Sequence, residues 1–127
     1  MTPIPPGIPQ TLRDLLAILR EVQRQRDESG FRLTATNVRE ALDALTRRYV
    51  TEVPAIALVR DELIQGSDFA VPVRLYHPAP AAALPVAVFV HGGGHIAGSV
   101  SLYDPIVRKL ALASRRLVVS VEYRLDP

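Results

Sequence analysis

The chain has 127 residues with 15 basic and 13 acidic side chains, which gives a formal charge of +2. It contains no cysteine, so a disulfide framework, a cysteine-bound zinc site and a thiol nucleophile are excluded. The two signs of charge are interleaved along the sequence, and this pattern argues against a dedicated nucleic-acid-binding module. With 48% hydrophobic residues, the chain is suited to bury a core.

The sequence shows no pattern of a membrane span or a secretion signal. Its longest apolar run, residues 84–90, is far shorter than the roughly 20 residues that a spanning helix needs. The first residues are rich in proline and have neither the basic nor the apolar region of a signal peptide. We therefore expect no membrane span and a cytoplasmic location.

Two amphipathic helices are predicted after a proline-rich lead-in over residues 1–9. Apolar residues recur at helical spacing over residues 10–28, and Gly30 is suited to follow the end of that helix. A second helix is predicted over residues 36–49, and Pro54 ends its pattern. The two helices form a helical hairpin that can pack against a larger body.

The apolar period changes to two after Pro54. Residues 56–64 and 69–77 are predicted to form two strands joined by the turn-rich residues 66–68. Pro72 lies inside the second strand and has no N–H to donate to a neighbouring strand. The hairpin is therefore expected at an edge of a sheet.

Two further strands frame a crossover helix. Val86–Val90 and Leu117–Val121 are almost entirely apolar, as expected of strands that are covered on both faces. Between them, Asp104 and Pro105 are suited to be the N-cap and first residue of a helix that ends near Ser114. Strand, helix and strand predict a right-handed βαβ unit with a parallel sheet.

The loop after Val86–Val90 carries the strongest functional signal. Its eight residues, 91–98, contain four glycines, namely Gly92, Gly93, Gly94 and Gly98. Glycines allow the backbone to approach a ligand closely and to direct consecutive N–H groups into one concavity. Three interpretations compete: a connection without chemistry, a dinucleotide-binding fingerprint, and an oxyanion hole for acyl transfer.

The dinucleotide interpretation has partial support. Gly92, Gly94 and Ala97 fit the G-x-G-x-x-A spacing, and Glu122 ends the following strand, where a ribose-binding acid would lie. That site needs its helix to begin within the glycines, whereas the predicted helix begins only at Asp104. Glu122 is also farther along the chain than the usual ~20 residues.

The oxyanion interpretation rests on a resemblance to a known family. His91-Gly92-Gly93-Gly94, with Gly98 four places on, resembles the HGGG loop of hormone-sensitive-lipase-like esterases and lipases of the α/β-hydrolase fold. Residues 71–76, residues 103–104 with the helix after them, and residues 118–125 resemble further elements of that family, in its order. Asp126 stands where the family commonly has alanine, and His95 stands where it commonly has an aromatic residue.

The resemblance implies an α/β class chain, the amino-terminal part of an α/β-hydrolase fold. Residues 1–53 would be a helical cap or lid segment. Residues 54–127 would supply the edge hairpin and the parallel βαβ unit of a mainly parallel sheet, including the oxyanion loop. Metals and cofactors are not expected for this chemistry.

The resemblance also implies the reaction and its residues. The protein is expected to hydrolyse small-molecule carboxylic esters through a serine acyl-enzyme. Gly93 and Gly94 would donate their backbone N–H groups to the oxyanion, and His91 would brace the loop rather than act as the base. The loop residues expected to contact substrate are Gly92, His95 and Ile96.

The sequence contains no G-x-S-x-G motif for a nucleophile and no Asp…His pair after one. We therefore expect this chain to be inactive alone and to need the remaining carboxyl-terminal portion of the hydrolase, either in the same protein or as a complementing chain. A homo-oligomer is compatible with this arrangement. The alternatives are a non-catalytic α/β module that binds a nucleotide at the glycine-rich loop, and an inactive fragment retained for interaction.

Overall fold

The computed structural model describes residues 7–126, so most of the predicted lead-in and Pro127 lie outside the described residues. Its elements in chain order are α1 (Gln10–Ser29), α2 (Ala35–Tyr49), β1 (Leu58–Gln65), β2 (Ala70–His77), β3 (Val86–Val90), α3 (Val100–Ser114) and β4 (Leu117–Val121). The chain forms two compact units, Met1–Leu33 and Thr34–Pro127, so that α2 belongs to the unit that holds the sheet. A functional boundary after Val53, with a cap role for the first 53 residues, stays a prediction.

The first unit contains α1, which confirms the first predicted helix. Gly30 follows it in the left-handed conformation, with φ of 67°, and its N–H donates to the carbonyl of Arg26. On the exposed polar side, the Arg24 guanidinium pairs with Glu21 and Glu28 at distances of 2.6 Å. No residue of α1 is buried.

The second helix, α2, begins one residue before its predicted start. Thr34 and Asn37 form a capping box there, since Thr34 N–H donates to Asn37 Oδ1 (2.9 Å) and Asn37 N–H donates to Thr34 Oγ1 (3.3 Å). These bonds satisfy amides that a helix leaves unpaired at its N-terminus. They also fix where α2 starts and hence which way its side chains project.

The four strands form one mixed sheet in the order β1-β2-β4-β3. β1 and β2 are an antiparallel hairpin, β2 is antiparallel to β4, and β3 is parallel to β4. The predicted hairpin and the predicted parallel βαβ unit are therefore both confirmed. The described residues therefore have an α/β fold with one mixed sheet. No helix in residues 7–126 is long and apolar enough to cross a membrane.

The hairpin lies at an edge of the sheet, as predicted, but Pro72 is not in its outermost strand. The outermost strand of the hairpin is β1, whereas β2, which contains Pro72, has a neighbour on each side. The pairing of β2 with β4 begins only at Val73, so no N–H is needed from the proline there. Pro72 contributes its carbonyl instead, which accepts a hydrogen bond from Glu122 N–H at 2.9 Å.

The predicted N-cap of α3 at Asp104 is wrong by five residues. The helix begins at Val100, where Ser99 is the N-cap and its Oγ accepts from Leu102 N–H at 3.0 Å. Pro105 consequently lies inside the helix. Asp104 has tertiary partners instead of a capping role: it accepts from the Tyr76 hydroxyl (2.9 Å) and pairs with Arg108 (2.6 Å).

The core lies between α3 and one face of the sheet. Its fully buried members are Tyr76, Val107, Ala111 and Val118. The opposite side of β3 is open: Val86, Val88 and Val90 are 58%, 68% and 61% exposed. Within the described residues α3 covers only one face of β3, and β3 is an edge strand. The predicted cover of its second face stays a prediction for the complete protein.

Candidate active site

The glycine-rich loop begins at the carboxyl end of β3 and leads directly into α3. Open α/β sheets bind ligands beyond the carboxyl ends of their strands. The loop folds back on itself, since the N–H groups of Ala97 (3.0 Å) and Ile96 (3.3 Å) both donate to the carbonyl of Gly93. This closed turn gives the loop a defined shape.

Gly93 and Gly94 both have positive φ values, which side chains other than glycine rarely adopt. At Gly93, with φ of 135°, an added Cβ would also collide with the carbonyl oxygen of Ala97. At Gly94, with φ of 63°, a Cβ would meet no described atom within 4 Å. A steric collision therefore excludes side chains at position 93. At position 94 only the backbone conformation favours glycine.

Three consecutive carbonyls of the loop are held by hydrogen bonds. The carbonyl of His91 accepts from the Tyr123 hydroxyl (2.9 Å), that of Gly92 lies 3.0 Å from His91 Nδ1, and that of Gly93 accepts from Ala97. In a planar trans peptide the next N–H points away from the carbonyl. The N–H groups of Gly93 and Gly94 therefore point away from these partners. Neither N–H takes part in a hydrogen bond with any of the described residues.

His91 is buried at the base of the loop. Its ring stacks on Tyr123, with centroids 4.3 Å apart, and lies 5.7 Å from the ring of Tyr103. Because a carbonyl oxygen only accepts, Nδ1 is the donor in the contact with Gly92. Nε2 has no hydrogen-bond partner in the described chain and lies 3.7 Å from Glu122 Oε1.

Glu122 occupies the N-terminus of α3. Its Oε2 accepts from the N–H of Val100, the first residue of the helix, at 2.9 Å. A carboxylate is favourable at the positive end of a helix. The observed start of α3 lies closer to the glycines than predicted, but the helix still begins after Gly98 and not within the glycines, where a dinucleotide site needs it. A pyrophosphate at this helix end would also meet the negative charge of Glu122, and this argues against the nucleotide alternative.

The residues predicted to contact substrate all lie on the loop surface. Gly92 is exposed, and a Cβ there would lie 3.2 Å from the Tyr103 hydroxyl. His95 is exposed, has φ of 65°, and contacts the ring of Tyr123 edge-on at 5.8 Å. Ile96 is half-buried, and its carbonyl accepts from Arg39 Nε at 2.7 Å.

Two further features complete this region. A cavity of about 350 Å³ lies between α2 and the start of α3, and its lining includes Arg39, Gly98 and Leu102 but not the two glycines with unused N–H groups. No group of three His, Cys, Asp or Glu residues that could hold a metal ion occurs within residues 7–126. The sequence interpretation missed Arg39 as part of the site. It did not place Tyr123 in the site either, although the Tyr123 hydroxyl donates to the His91 carbonyl.

The fold of the chain is similar to that of known proteins. Residues 87–127 match the family model described as alpha/beta hydrolase fold. The structure superposes on a hyperthermophilic esterase from the archaeon Pyrobaculum calidifontis with a TM-score of 0.69 and 36% identity, covering 87% of this chain and 35% of that one. The chain has part of the α/β-hydrolase fold. The family resemblance predicted from the sequence is thus confirmed.

Two of the similar curated proteins are named as esterases. Carboxylesterase NlhH of Mycobacterium tuberculosis is 45% identical over 58 residues, which cover 45% of this chain and 18% of NlhH. Esterase LipI of the same species is 32% identical over 129 aligned positions, and the match covers 96% of this chain and 39% of LipI. The chain thus spans well under half the length of these relatives.

Proposed function

We propose that the protein to which this chain belongs is a carboxylic ester hydrolase that works through a serine acyl-enzyme, and that this chain supplies its oxyanion hole. The observation that carries the proposal is that the N–H groups of Gly93 and Gly94 have no hydrogen-bond partner among the described residues. Their directions are fixed because the carbonyls of Gly92 and Gly93, which share their peptide units, are held by hydrogen bonds. The esterase relatives support the same reaction class.

The two amides have a defined role in this reaction. When a serine attacks an ester carbonyl, the carbonyl oxygen becomes an oxyanion and accepts hydrogen bonds from donors that are already in place. Losing one such donor typically lowers kcat by about 10²–10³. Hydrogen bonds to the carbonyl oxygens hold the peptide units that contain these two N–H groups. The N–H groups therefore need little reorganisation as the charge develops. The substrates we expect are small esters with short to medium acyl chains.

We place the nucleophile, acid and base in a further portion of the hydrolase. The sequence of this chain has no G-x-S-x-G motif, and its relatives are much longer. The exposed valines of β3 also support a partner surface, since a further strand would pair with the edge of β3 and its helices would cover this apolar face. On this proposal the chain alone does not hydrolyse esters. A homo-oligomer and a cytoplasmic location stay predictions.

The test compares the complete protein with residues 1–127 alone. We expect the complete protein to hydrolyse p-nitrophenyl butyrate and to be labelled by a fluorophosphonate on one serine outside residues 1–127. The short chain should do neither. Labelling of Ser99, or hydrolysis that the phosphonate does not block, would overturn the proposed division of the site.

A thermal melt with NAD or ATP tests the nucleotide alternative. A ligand that binds only the folded state raises the melting temperature. We expect no change in the melting temperature of the complete protein. A rise that grows with nucleotide concentration would favour the alternative.

A further inference from the structure

Arg39 of α2 contacts two backbone carbonyls that are far away in the sequence. Its Nε donates to the carbonyl of Ile96 (2.7 Å), and its Nη2 donates to the carbonyl of Asp126 (2.8 Å). The N–H of Asp126 in turn donates to the carbonyl of His95 at 2.7 Å. One guanidinium therefore links α2, the glycine-rich loop and the segment after β4.

The bond to Ile96 is connected to the proposed oxyanion donor through two peptide units. The Ile96 carbonyl and the Ala97 N–H belong to one planar unit, so holding the carbonyl directs the N–H the opposite way, toward Gly93. The Gly93 carbonyl that receives it belongs to the same unit as the Gly94 N–H. The direction of the Gly94 N–H thus depends on the position of Ile96.

We propose that Arg39 is a positioning residue for the oxyanion hole. Through its hydrogen bonds, Arg39 couples the position of α2 to the direction of the Gly94 N–H. The inference rests on the proposed function. Two donors on different nitrogens are needed to hold both carbonyls, which suits a guanidinium and not an ammonium. Arg39 forms no ion pair with any described residue, so the two carbonyls account for its position.

Activity of the complete protein gives the first test. We expect Arg39→Ala to lower kcat for p-nitrophenyl butyrate by about tenfold, from the loss of charge-assisted hydrogen bonds. KM should change by less than about threefold, because the interaction acts in the transition state. Arg39→Lys should fall between, since lysine can hold one carbonyl. The matched control is Arg47→Ala on the same helix, whose exposed side chain pairs with Asp43.

Chemical rescue separates positioning from a merely structural role. Added guanidinium ion at millimolar concentration should restore part of the activity of Arg39→Ala, whereas the same concentration of sodium chloride should not. The control variant should not respond to either salt. Absence of rescue, together with an equal kcat for the Arg39→Ala and Arg47→Ala variants, would overturn the inference.

Hydrogen exchange gives a readout that does not depend on activity. In the complete protein, the amide of Ala97 should exchange faster in Arg39→Ala than in the control, while the amides of β4 stay unchanged. Unchanged exchange at Ala97 would also overturn the inference. If the wild-type protein hydrolyses no ester, the proposed function fails, yet this measurement still decides whether Arg39 holds the loop.

Discussion

Adding a methyl group at Gly93 or at Gly94 separates two reasons for glycine in the loop. The structure distinguishes the two positions, because a Cβ at Gly93 collides with the Ala97 carbonyl oxygen and a Cβ at Gly94 lies in open space. Gly93→Ala must therefore displace either its own peptide or the Ala97 carbonyl. Either displacement disturbs the hydrogen bond from Ala97 to Gly93 and turns the Gly94 N–H from its present direction. In Gly94→Ala the loop keeps its shape at the cost of backbone strain.

The two variants are expected to differ in magnitude. Gly93→Ala should lose one oxyanion donor, so kcat should fall by about 10²–10³, equivalent to roughly 3–4 kcal/mol in the activation barrier. Gly94→Ala places an L-residue at a φ of 63°, which costs about 1–2 kcal/mol of stability. Its kcat should fall by less than about tenfold, because the N–H is retained.

The assay is steady-state hydrolysis of p-nitrophenyl butyrate by the complete protein, with urea unfolding of each variant beside it. Unfolding shows that the variant is folded under assay conditions. A Gly93→Ala variant that is folded and retains wild-type kcat would refute the argument from the collision. A larger loss of kcat in Gly94→Ala than in Gly93→Ala would refute the assignment of fixed peptide units.

Three further changes test other parts of the structure. Tyr76→Phe removes the hydroxyl that donates to Asp104 and should cost about 1 kcal/mol in urea unfolding, since Asp104 keeps a second partner. Burial and the Asp104 carboxylate hold the pKa of Tyr76 above its ordinary value of 10.0, so the native protein should lose stability as the pH rises above that value. The phenylalanine variant should lose less of its stability there, and an equal loss in both would contradict this. Glu122→Ala leaves the Val100 N–H without its acceptor and should lower the free energy of unfolding by about 1 kcal/mol. Glu28→Ala on the exposed surface of α1 should lower it by less. Equal losses in the two variants would argue against the role of Glu122 at the helix end. Val88→Lys should lower the free energy of unfolding of the complete protein by at least about 3 kcal/mol, because residue 88 would be buried there. Residues 1–127 alone should become more soluble in sedimentation. An unchanged free energy of unfolding of the complete protein would remove the proposed partner surface.

The corrected start of α3 changes the reason for preferring acyl transfer over nucleotide binding. The sequence argument held that the helix begins too late to bind a pyrophosphate, yet the helix begins at Val100, two residues after Gly98. The helix therefore lies closer to the glycines than predicted, although it still does not begin within them. The argument from charge adds to this one, since Glu122 already occupies the first amide of that helix.

Sequence periodicity determined the helices and strands of this chain to within a few residues at each end. The strands Val86–Val90 and Leu117–Val121 were predicted with their observed bounds, because short apolar runs between turn residues are a local signal. The glycine-rich loop was also evident, since four glycines in eight residues directly follow a strand. The start of α3 was not evident from the sequence, because Ser99 and Asp104 are both suitable N-caps. In the structure Asp104 has tertiary partners and Ser99 is the N-cap.

Only the tertiary structure determined how the candidate site is held. The Tyr123 hydroxyl reaches a carbonyl 32 residues away, and Arg39 reaches carbonyls that are 57 and 87 residues away. No periodicity within one element encodes such contacts, because they depend on the path by which sheet and helices bring distant backbone together. The sequence therefore determined that a loop of glycines follows β3, whereas the folded chain decided which way its amides point.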